Sequence, residues 1–332
     1  MEYRFLGKSG LKISELSFGT WITVGDQTDV EGAFQLMKQA FDSGINFFDN
    51  AEVYSKGNSE IIMGKVLKKA GWKRSDLVIS TKIFWGGEGP NDRGLSRKRI
   101  IEGTYASLKR MQQDYVDLIF CHRPDIHTPV EETVRAMNQI ISQGMAFYWG
   151  TSEWSAAQIK EACHVARANN LIPPLMEQPE YNFFRRQRVE MEYLPLYEET
   201  GLGTTTWSPL ASGILSNKYV EGIPEGSRFS LKQYKWLRDK RLDSPEGKEK
   251  VLKAAKLKKI ADQAGLTLPQ LAIAWCLKNP HVSSVILGAS KPCQLKENLK
   301  AREAVPLLDD TIISKIEEIL ANKPEGEKDW RI

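Results

Sequence analysis

Four cysteines in 332 residues, Cys121, Cys163, Cys276 and Cys293, are few and far apart, and none forms a C-x-x-C pair. A disulfide framework and a thiolate metal site are therefore not indicated, and the four read as buried thiols in a reducing compartment. Long apolar runs are missing too: none approaches the roughly 18 residues needed to cross a bilayer, and MEYRFLGKSG at the start lacks the apolar region of a signal peptide. The expectation is a soluble, cytoplasmic protein with no direct membrane insertion, reaching a membrane only through a partner. Charge of one sign is also scarce. With 46 basic and 42 acidic residues the net charge is +4, so no nucleic acid or anionic surface is called for. Neither G-x-G-x-x-G nor G-x-x-x-x-G-K-[ST] occurs, which removes both standard phosphate loops.

What the chain does contain is alternation. Eight short segments rich in β-branched or aromatic residues recur: LSFGTW (16–21), INFFDN (45–50), DLVISTK (76–82), YVDLIFCH (115–122), AFYWGTS (146–152), LMEQPEY (175–181), GTTTWSP (203–209) and SSVILGAS (283–290). Between them lie amphipathic stretches whose apolar residues recur at helical spacing, such as Val130, Val134, Met137, Ile140 and Ile141, or Ile100, Tyr105, Leu108 and Met111 behind the N-cap Ser96. Gly44, Gly71, Gly144 and Gly201 are placed to close helices at C′. Near-continuous apolar strands separated by helices predict a parallel sheet, and eight such repeats predict closure into a (β/α)8 TIM barrel, one domain over residues 1–332, with a doubly wound sheet as the fallback. YRFLGKSGLKIS reads as a hairpin capping the bottom of the barrel. Residues 210–246 form a long Gly-, Pro- and charge-rich excursion with the character of a lid. A basic helix from about Gly247 to Gly265, the helix TLPQLAIAWCLKNP and a last helix DDTIISKIEEILAN across the barrel's outside complete the pattern. The lysines of the basic helix, Lys248, Lys250, Lys253, Lys256, Lys258 and Lys259, read as a solvated face.

In such a barrel chemistry sits at the C-terminal strand ends. There the sequence places Asp49, Lys82 and His122, with Tyr54 in the loop after the second strand. Singly, each has an ordinary explanation as turn former, solvated lysine or packing aromatic. Together they form an acid: a Tyr54 phenol whose pKa the Lys82 ammonium lowers, an Asp49 that orients Lys82 and keeps it charged, and a His122 that donates to the same substrate oxygen. A Schiff base on Lys82 would leave Tyr54 and His122 without a role. The turn GASKPCQLKEN opens a helix with Pro292 in its first turn, and Ser290 and Lys291 flank free backbone N–H groups able to meet a phosphate, unless the turn is an ordinary cap. Trp21, Phe84, Trp85 and Trp154 fall at strand ends and read either as an apolar carbonyl pocket or as lid packing. Cys121 reads as a buried small residue.

At this tetrad the chain resembles the aldo-keto reductases over nearly its whole length. The segments KIFWGGEGPNDRGLSRKRIIEG, PVEETVRAMNQIISQGMAFYWGTSEWS, TWSPLASGILSNKY, LPQLAIAWCLKNP and NKPEGEKDW are similar to the voltage-gated potassium channel β-subunit branch of that family. Where animal members carry Asn and Arg, this chain has His122 and Glu153, as plant-type members do. The resemblance implies a barrel that binds NADP(H) and reduces aldehydes or ketones with Tyr54 as proton donor. By the same resemblance Trp207 stacks on the nicotinamide, and Ser152 and Gln178 hold its carboxamide beside Asp49. Ser208, Pro209, Leu210, Ala211 and Ser212 line the pyrophosphate path, while Lys218 and Arg228 close over it. Gly288, Ser290, Gln294, Glu297 and Asn298 hold the adenosine end, and Thr20, Trp21 and Gln27 lie near the other end. Glu153 has no assigned part. The alternative that the resemblance implies is an accessory subunit of a potassium channel α subunit, homotetrameric, with bound nucleotide as a redox sensor.

Overall fold

Each of the eight apolar segments forms one strand of a closed parallel barrel in a computed structural model that describes residues 1–326, 330 and 331. Residues 327–329 of the closing NKPEGEKDW segment, and residue 332, lie outside the described residues. By its contacts the chain forms two compact units: residues 1–179, 193–207 and 281–295, and residues 180–192, 208–280 and 296–332.

The first unit holds the whole barrel. The strands β1 (Tyr3–Phe5) and β2 (Lys12–Ser14) pair antiparallel as the expected hairpin. Then strands and helices alternate: β3 (Leu16–Gly19), α1 (Val30–Asp42), β4 (Phe47–Asp49), α2 (Asn58–Ala70), β5 (Val78–Ile83), α3 (Arg97–Met111), β6 (Val116–Cys121) and α4 (Val130–Ser142). β7 (Ala146–Thr151), α5 (Ala156–Ala168), β8 (Met176–Glu177), α6 (Leu194–Glu199), β9 (Gly203–Thr206) and β10 (Ser284–Leu287) complete the cycle. Pairing of β10 with both β3 and β9 closes it.

Successive side chains of a strand point to opposite faces, and this period sorts the residues. Phe47, Val78, Leu118, Phe120, Met176 and Ile286 pack as a core layer with Leu6 and Ile13 of the hairpin. The hairpin is thus the barrel's floor. Gly7 is needed there: its N–H region lies so close to Gly201 and Gly203 that a Cβ would sit 2.3 Å from the Gly201 carbonyl oxygen, and its φ is +54°. Two positions beyond Phe47, Val78, Phe120, Met176 and Ile286 come Asp49, Ser80, His122, Gln178 and Gly288, and Lys82 follows Ser80 by two more.

The second unit is helical. Residues 210–246 are not a featureless lid: 3-10 turns at Ala211–Ser216, Arg228–Ser230 and Lys232–Tyr234 lead into α7 (Lys235–Arg241). The basic helix α8 (Pro245–Gln263) starts two residues earlier than expected, because the Ser244 hydroxyl caps the Gly247 N–H and Pro245 suits the first turn. Of its six named lysines Lys248, Lys256 and Lys259 are exposed, as a solvated face requires, while Lys250, Lys253 and Lys258 are half-buried. Next come α9 (Leu268–Lys278), with a Thr267/Gln270 capping box, then α10 (Pro292–Leu299), whose first half belongs to the first unit, α11 (Ala301–Ala304) and α12 (Asp310–Leu320). Within the unit α12 packs against α8, where Lys253 Nζ donates to the Leu320 carbonyl.

Three packing expectations fail. Tyr105 is 55% exposed; α3 buries Ile100, Thr104, Ser107, Leu108 and Met111, and at 100° per residue Tyr105 falls on the opposite side. Val130 and Ile141 are only half-buried, at the flanks of the stripe formed by Val134, Met137 and Ile140. Cys293 is exposed while the other three cysteines are buried, because α10 turns Leu295 and Asn298 inward and its first turn outward. Gly44, Gly144 and Gly201 sit at C′ as expected, with Gly71 one position earlier as the cap itself, and all four have positive φ.

Candidate active site

β4 ends on Asp49, and its register opposite Ser80 sets the carboxylate beside β5. One oxygen accepts from Lys82 Nζ at 2.6 Å. The other accepts from Ser80 Oγ at 2.7 Å and from Gln178 Nε2 at 3.0 Å. Lys82, fully buried, spends its remaining donors on the Asn50 carbonyl at 2.8 Å and on Tyr54 Oη at 3.0 Å. Asp49, Tyr54 and Lys82 therefore form one connected unit, as the residue types predicted.

Tyr54 reaches this position through a strained loop. Ser55 and Lys56 have φ of +49° and +54°, followed by Gly57 at +86°. Left-handed backbone at two non-glycine residues persists only where surroundings hold it. Two bonds do so: Ser55 Oγ donates to Asp26 Oδ1 at 3.1 Å, and Glu52, between Asp49 and Tyr54, accepts from the Phe84 N–H at 2.7 Å. Glu52 also pairs with Arg99 of α3. Burial raises the Glu52 carboxyl above the usual range despite that partner. Sequence reasoning missed this brace, for Glu52 and Arg99 are 47 positions apart and carry no motif.

His122 is buried just past β6. Its ring lies 5.8 Å from that of Tyr54 and 5.0 Å from that of Trp85, and its Nδ1 has no hydrogen-bond partner among the described residues. Burial first, then the charges of Lys82 and Arg123, push its pKa well below the ordinary imidazole value. His122 is therefore neutral, with a polar atom left for an incoming group.

For Tyr54 the net direction corrects the expectation. Burial raises the phenol and outweighs the lowering by Lys82, with Asp49 adding to the rise. Burial likewise disfavours the Lys82 ammonium, but Asp49 and then Tyr54 more than compensate, and its pKa ends above the usual lysine value. The arrangement thus keeps the proton on Tyr54, with the Lys82 ammonium beside its oxygen offsetting part of the cost of burial. Cys121, beside His122, is fully buried and its thiol is pushed up by that burial, the inert state expected of it.

The remaining predicted residues divide by unit. In the first, Ser152 Oγ donates to the Gln178 carbonyl at 2.8 Å and Thr20 Oγ1 to the Asp49 carbonyl at 3.1 Å. The Trp207 ring meets Trp21 edge-on at 5.9 Å, and Trp21 lies 6.4 Å from the Tyr54 ring. Glu153 gains a part: it accepts from Trp207 Nε1 at 3.1 Å and is held at φ +61°, so it orients the indole. Phe84 packs on Trp85 at 4.8 Å, whereas Trp154 is 3% exposed and offers little surface. Ser290 donates from both N–H and hydroxyl to Gln294 Oε1, Gly288 is exposed, and Gln27 lies in the turn between Asp26 and Thr28 that carries the Asp26 contact to Ser55.

In the second unit, Ser208, Ala211 and Ser212 all have positive φ, and the Ser212 N–H donates to Ser208 Oγ; Pro209 is buried and Leu210 half-buried between them. The Ala211 N–H donates to the Ser208 carbonyl and the Gly213 N–H to the Leu210 carbonyl, so the turn closes on itself. Lys218 and Arg228 are close enough to repel each other, and burial followed by that repulsion lowers Lys218; burial lowers Arg228 also. A bound phosphate would relieve both, so this donor set fits a nucleotide's charged end. Asn298 is buried, and the Glu297 carbonyl accepts from Gln270.

The sequence matches the Aldo/keto reductase family over residues 15–321. It is 57% identical, along the whole of both chains, to a protein of Arabidopsis thaliana described as a probable voltage-gated potassium channel subunit beta, and 56% identical over the same span to one of Oryza sativa subsp. japonica with the same description. A closed eight-stranded barrel carrying an Asp, Tyr, Lys and His at its strand ends, together with that match, makes this chain a member of the aldo/keto reductase family.

Proposed function

We propose that the chain is an NADP(H)-dependent reductase of aldehydes or ketones, with Tyr54 as proton donor. The observation that carries the reading is the Lys82 ammonium held 3.0 Å from Tyr54 Oη and 2.6 Å from Asp49. A bound nicotinamide cofactor would supply the hydride. Trp207, oriented by Glu153, would stack on it, with Ser152 and Gln178 at its carboxamide. A substrate carbonyl oxygen between Tyr54 and neutral His122 would accept two hydrogen bonds, and Tyr54 would pass its proton as charge grows on that oxygen. Lys82 would stabilise the phenolate left behind, while Asp49 keeps Lys82 charged.

Tyr54→Phe keeps the ring and deletes only the acid. Carbonyl reduction should fall by at least about a hundredfold, the range of a lost general acid, with NADPH affinity within a few fold of the parent. Stopped-flow oxidation of bound NADPH by an aldehyde panel, with fluorescence titration of NADPH, separates the two; undiminished turnover would remove Tyr54 from this role.

The likeness to the two plant relatives supports a second part for the same chain, as a β subunit of a voltage-gated potassium channel. Co-purification of the tagged chain with a channel α subunit from plant membranes tests it.

A further inference from the structure

The residue after His122 is an arginine, and its placement is unlike that of a structural cation. The Arg123 guanidinium lies over the Trp85 ring at 5.5 Å, and Trp85 in turn abuts His122 at 5.0 Å. Its Nη1 donates to the His122 carbonyl and to Ser152 Oγ at 3.3 Å. Both acceptors are neutral, and among the described residues no carboxylate forms an ion pair with it. A half-buried arginine is ordinarily held by a carboxylate, because a desolvated charge without a counter-charge is costly. Among the described residues its hydrogen bonds use Nη1 alone, leaving the Nε and Nη2 edge of the fork, the geometry that grips a carboxylate with two parallel hydrogen bonds. The cation is felt at the reacting groups, since it contributes to lowering His122 and opposes the rise of Tyr54.

We propose that Arg123 is the anchor for a carboxylate carried by the substrate, so that the carbonyl compounds this site takes are anionic oxo acids with one ring or a short chain between carbonyl and carboxylate. This rests on the reductase reading for the carbonyl end, whereas the anchor is defined by its own geometry. The carbonyl oxygen lies with Tyr54 and His122, the body of the substrate against Trp85, and the carboxylate on the guanidinium beyond it. Trp85 joins both ends, which sets the spacing.

The test compares 4-formylbenzoate with its methyl ester, the same ring without the charge. Binding is measured by isothermal titration calorimetry to the full chain saturated with NADP+, so that no turnover occurs, in wild type, Arg123→Gln and Arg123→Lys. Wild type should bind the acid at least about tenfold tighter than the ester, as a charge-assisted fork does, with the preference shrinking as salt is raised. Arg123→Gln should abolish the preference and Arg123→Lys retain part of it, since lysine restores the charge but not the fork. Equal wild-type affinities for acid and ester, a parallel loss of both ligands in Arg123→Gln, or an equal drop in NADPH affinity would each overturn the anchor. If Arg123→Gln does not fold, the wild-type acid-to-ester ratio and its salt dependence decide. Turnover of the two aldehydes is read in parallel: tight, charge-dependent binding with neither reduced would count against the reductase reading and leave the anchor standing, whereas reduction of the ester in preference to the acid would overturn the anchor alone.

Discussion

Asp49 does two things at once, and the hydrogen bonds say why an amide could not replace it. One oxygen faces Lys82, while the other takes Ser80 and Gln178. Asp49→Asn keeps the shape but presents an NH2 to a donor and leaves a buried ammonium without its counter-charge. Breaking a buried pair in this way costs about 3 to 5 kcal/mol. Urea denaturation should show that loss, and turnover should fall with it; an unchanged midpoint would mean that the charge of Lys82 is carried elsewhere. His122 predicts a pH dependence. Its folded pKa lies well below the ordinary value near 6.5, so on acidification the unfolded chain takes the proton first. The stabilisation is fully present above about pH 6.5 and is lost as pH falls below it, with a slope approaching about 1.4 kcal/mol per pH unit. Denaturation midpoints of wild type and His122→Asn between pH 7.5 and 5.5 should therefore converge, the wild type losing more.

Among the elements, the segment 188–192 and α12 are tied together through Arg186. Arg186 binds Glu190 through Nε and Nη2 and Glu317 through Nη1 and Nη2, with Trp275 of α9 under its guanidinium at 5.2 Å. Its side chain is 4% exposed, its partners' about a fifth. Arg186→Met fills the space but strands two carboxylates, and the second unit should lose about 3 kcal/mol, the low end for a buried network because both acids touch water. Hydrogen exchange should rise first in α12; exchange that rises evenly along the chain would contradict a local tie. The element also shows what a linear reading can and cannot see. Thr267 and Gln270 announce α9 because a capping box is local chemistry. Arg186 announces nothing, since its partner Glu317 is 131 positions away.

For the whole molecule, cofactor choice and assembly are the open quantities. The cations expected at the nucleotide, Lys218, Arg228 and Lys291, and the lack of a carboxylate assigned to a free 2′-hydroxyl, predict that NADPH binds more tightly than NADH. Charge-assisted contacts are worth roughly 1.5 to 3 kcal/mol, or about one to two decades. Parallel fluorescence titrations check this, and equal affinities would remove those cations from the phosphate. A homotetramer is expected on the channel-subunit reading, and a net charge of +4 does not oppose its assembly. Light scattering across a concentration series measures it; a stable monomer would weigh against that reading.

The primary structure by itself determined the eight strands and their order, since apolar runs and intervening helical periods are local and each strand joins its neighbour through its own connection. It also placed Asp49, Lys82 and His122, because a strand's last inward residue follows from counting by two. Only the tertiary structure decided the rest. Tyr105 turned outward and Cys293 became exposed because neighbouring residues claimed the buried face. Tyr54 was raised and not lowered, because the cost of burying a phenolate exceeds what one ammonium 3.0 Å away returns. The Glu52 and Arg99 brace, the Glu153 bond to Trp207 and the packing of Arg123 on Trp85 all join residues far apart in the chain. Their pairing energy exists only once the barrel has closed, and no local pattern records it.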